Sequence, residues 1–171
     1  VFTLALTFSL PAADWPQWRG PDRTGVSQET GLLKTWPKDG PAILWKATGC
    51  GNGYSSVAVT GGVVYGTGGK GGKNIAWAKK EADGSDLWTT PYADYGDDPN
   101  STVVVSDGKV YALTKKGTLA CLEAKSGKVV WTKSFSKDFG GNMMSGWGYS
   151  ETPLVDGKKL VCTPGGDKAA V

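Results

Sequence analysis

Short apolar runs alternate with glycine-containing turns along most of this chain. Pairs of runs flank two-residue turns at Gly61-Gly62, Asp107-Gly108 and Asp156-Gly157. The runs are rich in β-branched and aromatic residues, as in "SSVAVT" and "VVYGT" around the first turn. This pattern is typical of β-hairpins with primed turns. No segment shows a convincing helical period, so the pattern predicts an all-β chain.

Two further apolar runs follow each of the first two hairpins. "NIAWA" and "TLACLE" predict a third strand, while "SDLWTT" and "KVVWTKSF" predict a fourth strand that carries a tryptophan. Trp45, Trp88 and Trp131 recur every 43 residues, and the turns recur after 46 and 49 residues. Four antiparallel strands in a unit of this length are typical of a β-propeller blade. The chain therefore predicts a partial ring of about two to three such blades.

The stretch "CLEAKSGKVVW" sets a small residue, an acid, a glycine and a tryptophan at fixed offsets. Gly127 suits a turn position that needs φ > 0, and Glu123 is expected to accept hydrogen bonds from turn amides. The indole on the outer strand is expected to reach the small position of the adjacent blade, which would bury a large apolar area. The predicted role is structural blade docking, by Trp45, Ala78, Gly84, Trp88, Cys121, Glu123, Gly127 and Trp131.

The chain begins with "VFTLALTFSLPAAD", an apolar run followed by proline and two alanines. This favours the remnant of a secretory signal over residues 1–13, with an apolar first strand as the alternative. The run is too short to span a bilayer. The sequence thus predicts an exported protein, periplasmic or extracellular, without a transmembrane segment.

Composition removes several classes of function. The chain has 19 Lys and Arg against 16 Asp and Glu, and no basic stripe with interleaved aromatics, so we do not expect nucleic-acid binding. It has no His and three Cys without a C-x-x-C pair, which argues against a zinc site. Asp94, Asp97, Asp98 and Asn100 cluster in "DYGDDPN", but that composition is typical of a turn. No metal ligand and no catalytic residue is predicted.

The offsets of the repeat resemble the tryptophan-docking motif of pyrroloquinoline quinone (PQQ)-type β-propellers, Ala-x-Asp-x-x-x-Gly-Lys-x-x-Trp. One copy keeps Gly127, Lys128 and Trp131, and the other keeps Ala78, Gly84 and Trp88. "WPQWRGPDRTGVS" and "WGYSETPLVDG" resemble exported PQQ-binding-like repeat proteins, some of them similar to the outer-membrane protein assembly propeller. The resemblance implies a quinoprotein-like propeller of which this chain is an N-terminal fragment.

The expected organisation follows from the repeats and the resemblance. It comprises a signal remnant at 1–13, a lead-in and closing segment at 14–50, blade 1 at 51–95, blade 2 at 96–145 and the start of blade 3 at 146–171. The remaining blades of the same gene product are expected to complete the ring.

The innermost strands of a propeller line its channel, and the loops that enter them form one face of the disc. The residues near those strand starts are therefore candidates for binding a ligand or partner, namely Tyr54, Asn100, Trp147, Tyr149 and Glu151. The structural alternative is that the aromatic rings only pack the loops and that Ser55, Ser101 and Ser150 cap the strands.

Two functions remain open from the sequence. The first is a binding or scaffold module that presents the disc face to a protein or a saccharide-like partner, without catalysis in this chain. The second, implied by the resemblance, is part of a dehydrogenase that uses PQQ with Ca²⁺ to oxidise alcohols or sugars. Methanol-type members use a vicinal Cys pair, and Cys50, Cys121 and Cys162 form no such pair.

Overall fold

The structure is a computed structural model that describes residues 13–94 and 98–167. The predicted signal remnant lies outside the described residues except for Ala13, and so does Asp97 of the acidic turn.

The first hairpin and the two strands after it form one antiparallel sheet. Its strands are β1 (Ala58–Thr60), β2 (Val63–Lys70), β3 (Lys73–Lys80) and β4 (Asp86–Asp94), in the order β1-β2-β3-β4. Each strand pairs with the next along the chain because the connecting turns are short.

A second sheet repeats this arrangement. It contains β5 (Val104–Ser106), β6 (Lys109–Leu113), β7 (Thr118–Glu123) and β8 (Val129–Ser134), again in sequence order. The predicted all-β class and the four-stranded antiparallel unit are therefore confirmed.

A two-stranded hairpin follows, formed by β9 (Leu154–Asp156) and β10 (Lys159–Val161). Its turn differs from the prediction by one residue. Asp156 pairs with Lys159 in the ladder, so the turn residues are Gly157 and Lys158 and not Asp156-Gly157.

One helix corrects the expectation that the chain has none. The helix α1 (Phe135–Phe139) begins directly after β8. The Ser134 hydroxyl accepts a hydrogen bond from the Lys137 N–H, and Gly140 ends the helix in a left-handed conformation with φ of 65°. These are ordinary capping signals, but five residues are too few to show a helical period.

The main core lies between the two four-stranded sheets. Small side chains allow their faces to approach closely, with Ala76 and Ala78 on the first sheet and Ala112 and Ala120 on the second all fully buried. A second apolar cluster lies between the second sheet, α1 and the β9–β10 hairpin, and it contains Leu113, Leu119, Phe135 and Tyr149. The sheets thus pack face to face in chain order, which brings the starts of β1, β5 and β9 to one side.

Candidate functional site

A cleft of about 590 Å³ opens where the three innermost strands begin. Its walls come from equivalent positions of the repeat. Tyr54, Asn100 and Ser150 each stand seven residues before the first turn residue of their hairpin, and Ser56, Thr102 and Thr152 stand five residues before it. We call this the inner-strand cleft, and its lining comprises Trp18, Tyr54, Ser55, Ser56, Asn100, Thr102, Ser150, Glu151 and Thr152.

Hydrogen bonds between successive repeats fix the rim of the cleft. The Tyr54 N–H and the Ser55 hydroxyl both donate to the carbonyl oxygen of Pro99, at 2.9 and 3.1 Å. The Asn100 amide nitrogen donates to the Trp147 carbonyl and to the Ser150 hydroxyl, both at 3.0 Å. Each repeat is therefore joined to the next at the mouth of the cleft.

Glu151 lines the cleft, but its carboxylate is already engaged. Both carboxylate oxygens accept the Thr163 N–H, at 2.8 and 2.9 Å. Burial, with a contribution from the Glu151 charge, raises the pKa of the Cys162 thiol to about 12. The same two causes, burial first, raise the pKa of Tyr149. The Cys162 thiol and the Tyr149 phenol are therefore both uncharged at neutral pH.

Four of the five predicted ligand or partner residues lie together, and one lies apart. Tyr54, Asn100 and Glu151 line the inner-strand cleft, and Trp147 borders an adjoining depression with Tyr54 and Asn100. Tyr149 is buried instead, with its ring centroid 4.9 Å from that of Phe135 in an edge-on contact. Its hydroxyl donates to the Pro164 carbonyl at 2.7 Å, so it fixes the loop between α1 and β9.

Trp18 is not among the predicted site residues, but it lines the cleft with 56% of its surface exposed. The lead-in holds it there through hydrogen bonds to the innermost strands. Trp15 exchanges two backbone hydrogen bonds with Val59, and the Pro16 carbonyl accepts the Val105 N–H at 2.9 Å. The Arg23 guanidinium donates to the Val155 carbonyl at 2.7 Å.

Val59, Val105 and Val155 occupy equivalent positions, two residues before their turns. The lead-in thus crosses the same place on three successive inner strands. The stretch "WPQWRGPDR" was a signal for this crossing, because its prolines and its glycine break any regular strand.

Two tryptophans of the repeat, Trp45 and Trp88, lie against turn glycines of the following unit. A Cβ on Gly127 would be 2.5 Å from Cδ2 of Trp88, and one on Gly84 would be 2.6 Å from Cε3 of Trp45. Both glycines have positive φ, 70° and 71°. The Trp88 indole N–H donates to the Ala124 carbonyl at 2.8 Å, and the Trp45 N–H donates to that of Glu81 at 2.7 Å.

Two details of the predicted docking motif are wrong. The small residues Ala78 and Cys121 pair across the strand with the tryptophan of their own sheet, Trp88 and Trp131. The Glu123 carboxylate accepts a hydrogen bond from Lys109 at 3.2 Å, while the turn amide of Gly127 donates to the Glu123 backbone carbonyl. These contacts follow from the register of the strands, because Lys109 and Glu123 are also directly opposite each other in the ladder.

The donor set does not fit a PQQ–Ca²⁺ centre within the part of the chain that is described. No group of three or more His, Cys, Asp or Glu side chains there comes close enough to hold a metal ion. Asp94 is paired with Lys73 at 2.6 Å, and the three cysteines are free thiols.

Comparison with known proteins identifies the repeat. A family model described as outer membrane protein assembly factor BamB matches residues 73–171. This is more than half of the chain, which therefore belongs to that family of PQQ-like repeats. No curated protein matches the sequence.

Solved structures share the fold over part of their length. The quinohemoprotein alcohol dehydrogenase from Comamonas testosteroni matches with a TM-score of 0.62 and 22% identity, over 86% of this chain and 22% of that one. The quinohemoprotein alcohol dehydrogenase ADHIIG from Pseudomonas putida HK5 matches with a TM-score of 0.50 and 21% identity, over 70% of this chain and 18% of that one. BamB from Moraxella catarrhalis matches with a TM-score of 0.47 and 20% identity, over 67% of this chain and 31% of that one.

The chain thus spans less than a third of the length of each of these structures. At such identities the likeness is one of fold. The predicted β-propeller with PQQ-like repeats is confirmed.

Proposed function

We propose that this protein is an exported β-propeller that acts as a binding or scaffold module, with its partner seated at the inner-strand cleft. The observation that carries the proposal is the set of exposed aromatic rings around a polar cleft. Tyr54 and Trp147 are each 79% exposed and Trp18 is 56% exposed, although rings of this size are usually buried. Such rings at a concave site are typical of interaction surfaces.

The rim is also built to keep its shape. Hydrogen bonds from Asn100 tie the second repeat to the loop that carries Trp147, and the bonds to Pro99 tie the first repeat to the second. A site whose geometry is fixed before binding loses less conformational entropy on binding, which favours recognition.

The organisation proposed for the chain has residues 51–95 and 96–145 as blades, 146–171 as the start of a third blade and 14–50 as a lead-in. Trp45, Trp88 and Trp131 serve to dock one blade on the next, and the indole–glycine contacts of Trp45 and Trp88 support that role. The apolar N-terminal run supports export to the periplasm or beyond. In the described residues, no helix has the length and apolarity to cross a membrane.

The test uses the full-length protein on two immobilised panels, one of neutral oligosaccharides and one of unstructured peptides. We expect at least one probe to bind, and we expect Tyr54→Ala and Trp147→Ala each to weaken that binding about tenfold, or about 1.4 kcal/mol. Trp36→Ala is the matched control, because Trp36 is 68% exposed but lies outside the cleft lining.

Equal binding by the wild type and both cleft variants would overturn the proposal.

The same preparation is then supplied with PQQ and Ca²⁺ and assayed for dye reduction with alcohols and sugars. Activity that needs both additions would favour the dehydrogenase, which is the alternative to a scaffold.

A further inference from the structure

We propose that the inner-strand cleft binds a neutral saccharide, with one sugar ring lying against the indole of Trp18. This inference rests on the proposed function, because it names the ligand class of the same cleft. It is carried by three features of the lining: an aromatic ring whose flanking residues are held by hydrogen bonds, a set of hydroxyl groups at repeat-equivalent positions, and a single carboxylate without a cationic side chain among the described lining residues.

Trp18 is held as a platform by the residues on both sides of it. Trp15 and Pro16 are bonded to two inner strands, as described above. On the other side, the buried Gln17 amide donates to the carbonyls of Gly20 and Pro21, at 3.1 and 3.2 Å, which closes the loop around Trp18. A large apolar ring that is already positioned can cover the apolar face of a sugar with little loss of entropy.

Hydroxyl groups also line the cleft. Ser56, Thr102 and Thr152 occupy the same position in three successive repeats, and Thr102 Oγ1 accepts the Ser56 N–H at 3.3 Å. Thr102 is buried, so the Ser56 and Thr152 hydroxyls are the ones that a ligand can reach. Each of these two can donate one hydrogen bond and accept two, which matches the hydroxyl groups of a sugar. The Asn100 amide uses its nitrogen within the rim and keeps its oxygen as an acceptor.

The charge of the cleft favours a neutral ligand. Among the described residues, Glu151 is the only one in the lining with a carboxylate, and no Lys or Arg lines the cleft. The Glu151 carboxylate accepts the Thr163 N–H, which is a neutral donor. Glu151 therefore contributes negative charge that no cation in the lining offsets. An anionic ligand would be repelled, and a cationic one would find no other partner carboxylate among these residues.

The contacts of the lead-in argue against an extended peptide. A peptide that binds by adding a strand needs unpaired backbone groups on a strand edge. The lead-in already bonds to the backbone of Val59, Val105 and Val155 on the three inner strands. The polar groups around Trp18 are side-chain hydroxyls, the Asn100 amide and the Glu151 carboxylate, which suit the hydroxyl groups of a sugar.

Calorimetric titration of the full-length protein tests the inference. The probes are cellohexaose, maltohexaose, xylohexaose, mannohexaose and chitohexaose, with a galacturonate hexamer as the anionic counterpart. We expect at least one neutral hexamer to bind with a Kd of about 1 mM or lower, and the galacturonate hexamer to bind at least tenfold more weakly. Trp18→Ala is expected to weaken the neutral hexamer by about tenfold or more.

Two variants separate loss of the platform from loss of the fold. Trp18→Phe keeps an aromatic ring, so the Kd is expected to stay within about threefold of the wild type. Trp36→Ala removes another exposed indole, which lies outside the cleft lining, and is expected to leave the Kd unchanged. Thermal unfolding at matched concentrations shows whether each variant is folded.

Other outcomes overturn the inference. These are no heat with any neutral hexamer, equal affinity for the galacturonate hexamer, or equal loss of binding in Trp36→Ala. If the sugars fail while a peptide still binds in a manner that Tyr54→Ala and Trp147→Ala weaken, the saccharide inference is wrong and the proposed function stands. If probes bind equally to all cleft variants, the proposed function itself fails.

Discussion

The two four-stranded sheets repeat one row of side chains with almost the same geometry. In both sheets the ring centroid of a tyrosine on the second strand lies 6.2 Å from that of a tryptophan on the fourth strand, and the ring planes meet at 51° and 45°. A small residue of the third strand pairs with each of these aromatics in the ladder. The rows are Tyr65-Ala78-Trp88 and Tyr111-Cys121-Trp131. Equal spacing in the sequence therefore gives equal geometry within each sheet.

The sheets differ in what lies beyond the row. The Trp88 indole lies on the Gly127 turn of the second sheet and donates to the Ala124 carbonyl. Trp131 packs against the apolar cluster around Phe135, and among the described residues its indole nitrogen has no hydrogen bond. The same position in the repeat thus has a different energetic value, because the value depends on the turn that the neighbouring unit supplies.

A second difference lies two residues further along the second strand and four residues after each tryptophan. In the first sheet Thr67 and Tyr92 share a buried hydrogen bond of 3.1 Å between their hydroxyl oxygens. Leu113 and Phe135 occupy the corresponding positions of the second sheet, and both are fully buried. The first repeat thus has a buried polar pair, Thr67 and Tyr92, where the second has a buried apolar pair.

The largest effect is expected from removing the indole that lies on a turn. Trp88→Ala should lower the free energy of unfolding by about 3 kcal/mol, because it removes a large ring and leaves the Ala124 carbonyl without its donor. Trp131→Ala should lower it by about half as much, since no hydrogen bond is lost. Chemical denaturation of both variants gives the two values, and equal losses would contradict the difference drawn between the sheets.

The glycine under the indole gives the next largest effect. Gly127→Ala should destabilise the protein by about 2 kcal/mol, because the new methyl group meets both a positive φ and the Trp88 ring. Gly108→Ala is a matched control, since Gly108 has the same φ of 70° but no atom within 4 Å of the added Cβ. The excess loss in Gly127→Ala measures the ring contact, and its absence would show that the indole moves aside freely.

The polar pair of the first sheet predicts a dependence on pH. Burial raises the pKa of Tyr92 to about 12, although its hydrogen bond with Thr67 opposes the shift. The folded state therefore favours the neutral phenol, and this contribution is full below pH 10 and is lost as the pH rises towards 12.

Tyr92→Phe makes the first sheet resemble the second and removes this titration. We expect the variant to be less stable than the wild type by about 1 kcal/mol at pH 7, because the hydrogen bond to Thr67 is lost. The difference should shrink between pH 10 and 12, since only the wild type must then ionise a buried phenol. Denaturant unfolding at several pH values measures it, and a difference that stays constant up to pH 12 would contradict the assignment.

Much of the fold could be predicted because its signals are local. Glycine-containing turns and alternating apolar runs predicted, near their observed positions, the ten strands of the described residues. The helix α1 was missed because one turn of helix shows no period, and the third turn was placed one residue early because "DGKK" offers two similar dipeptides. These errors concern short segments in which several conformations satisfy the same local pattern.

The candidate site was only partly predictable. Tyr54, Asn100 and Glu151 followed from the idea that strand starts converge, and the structure brings them into one cleft. Trp147 and Tyr149 are two residues apart, yet the first is 79% exposed and the second is buried against Phe135. Periodicity cannot separate them, because the loop that carries them belongs to no regular strand.

The sequence by itself determined the repeat: strands, turns and tryptophans recur at intervals fixed by the length of one unit, and each unit folds through contacts between neighbours in the chain. Only the tertiary structure decided that the lead-in bonds to Val59, Val105 and Val155 and so holds Trp18 over the cleft. Those contacts join segments up to 132 residues apart, and they depend on how the sheets stack, which no local pattern encodes.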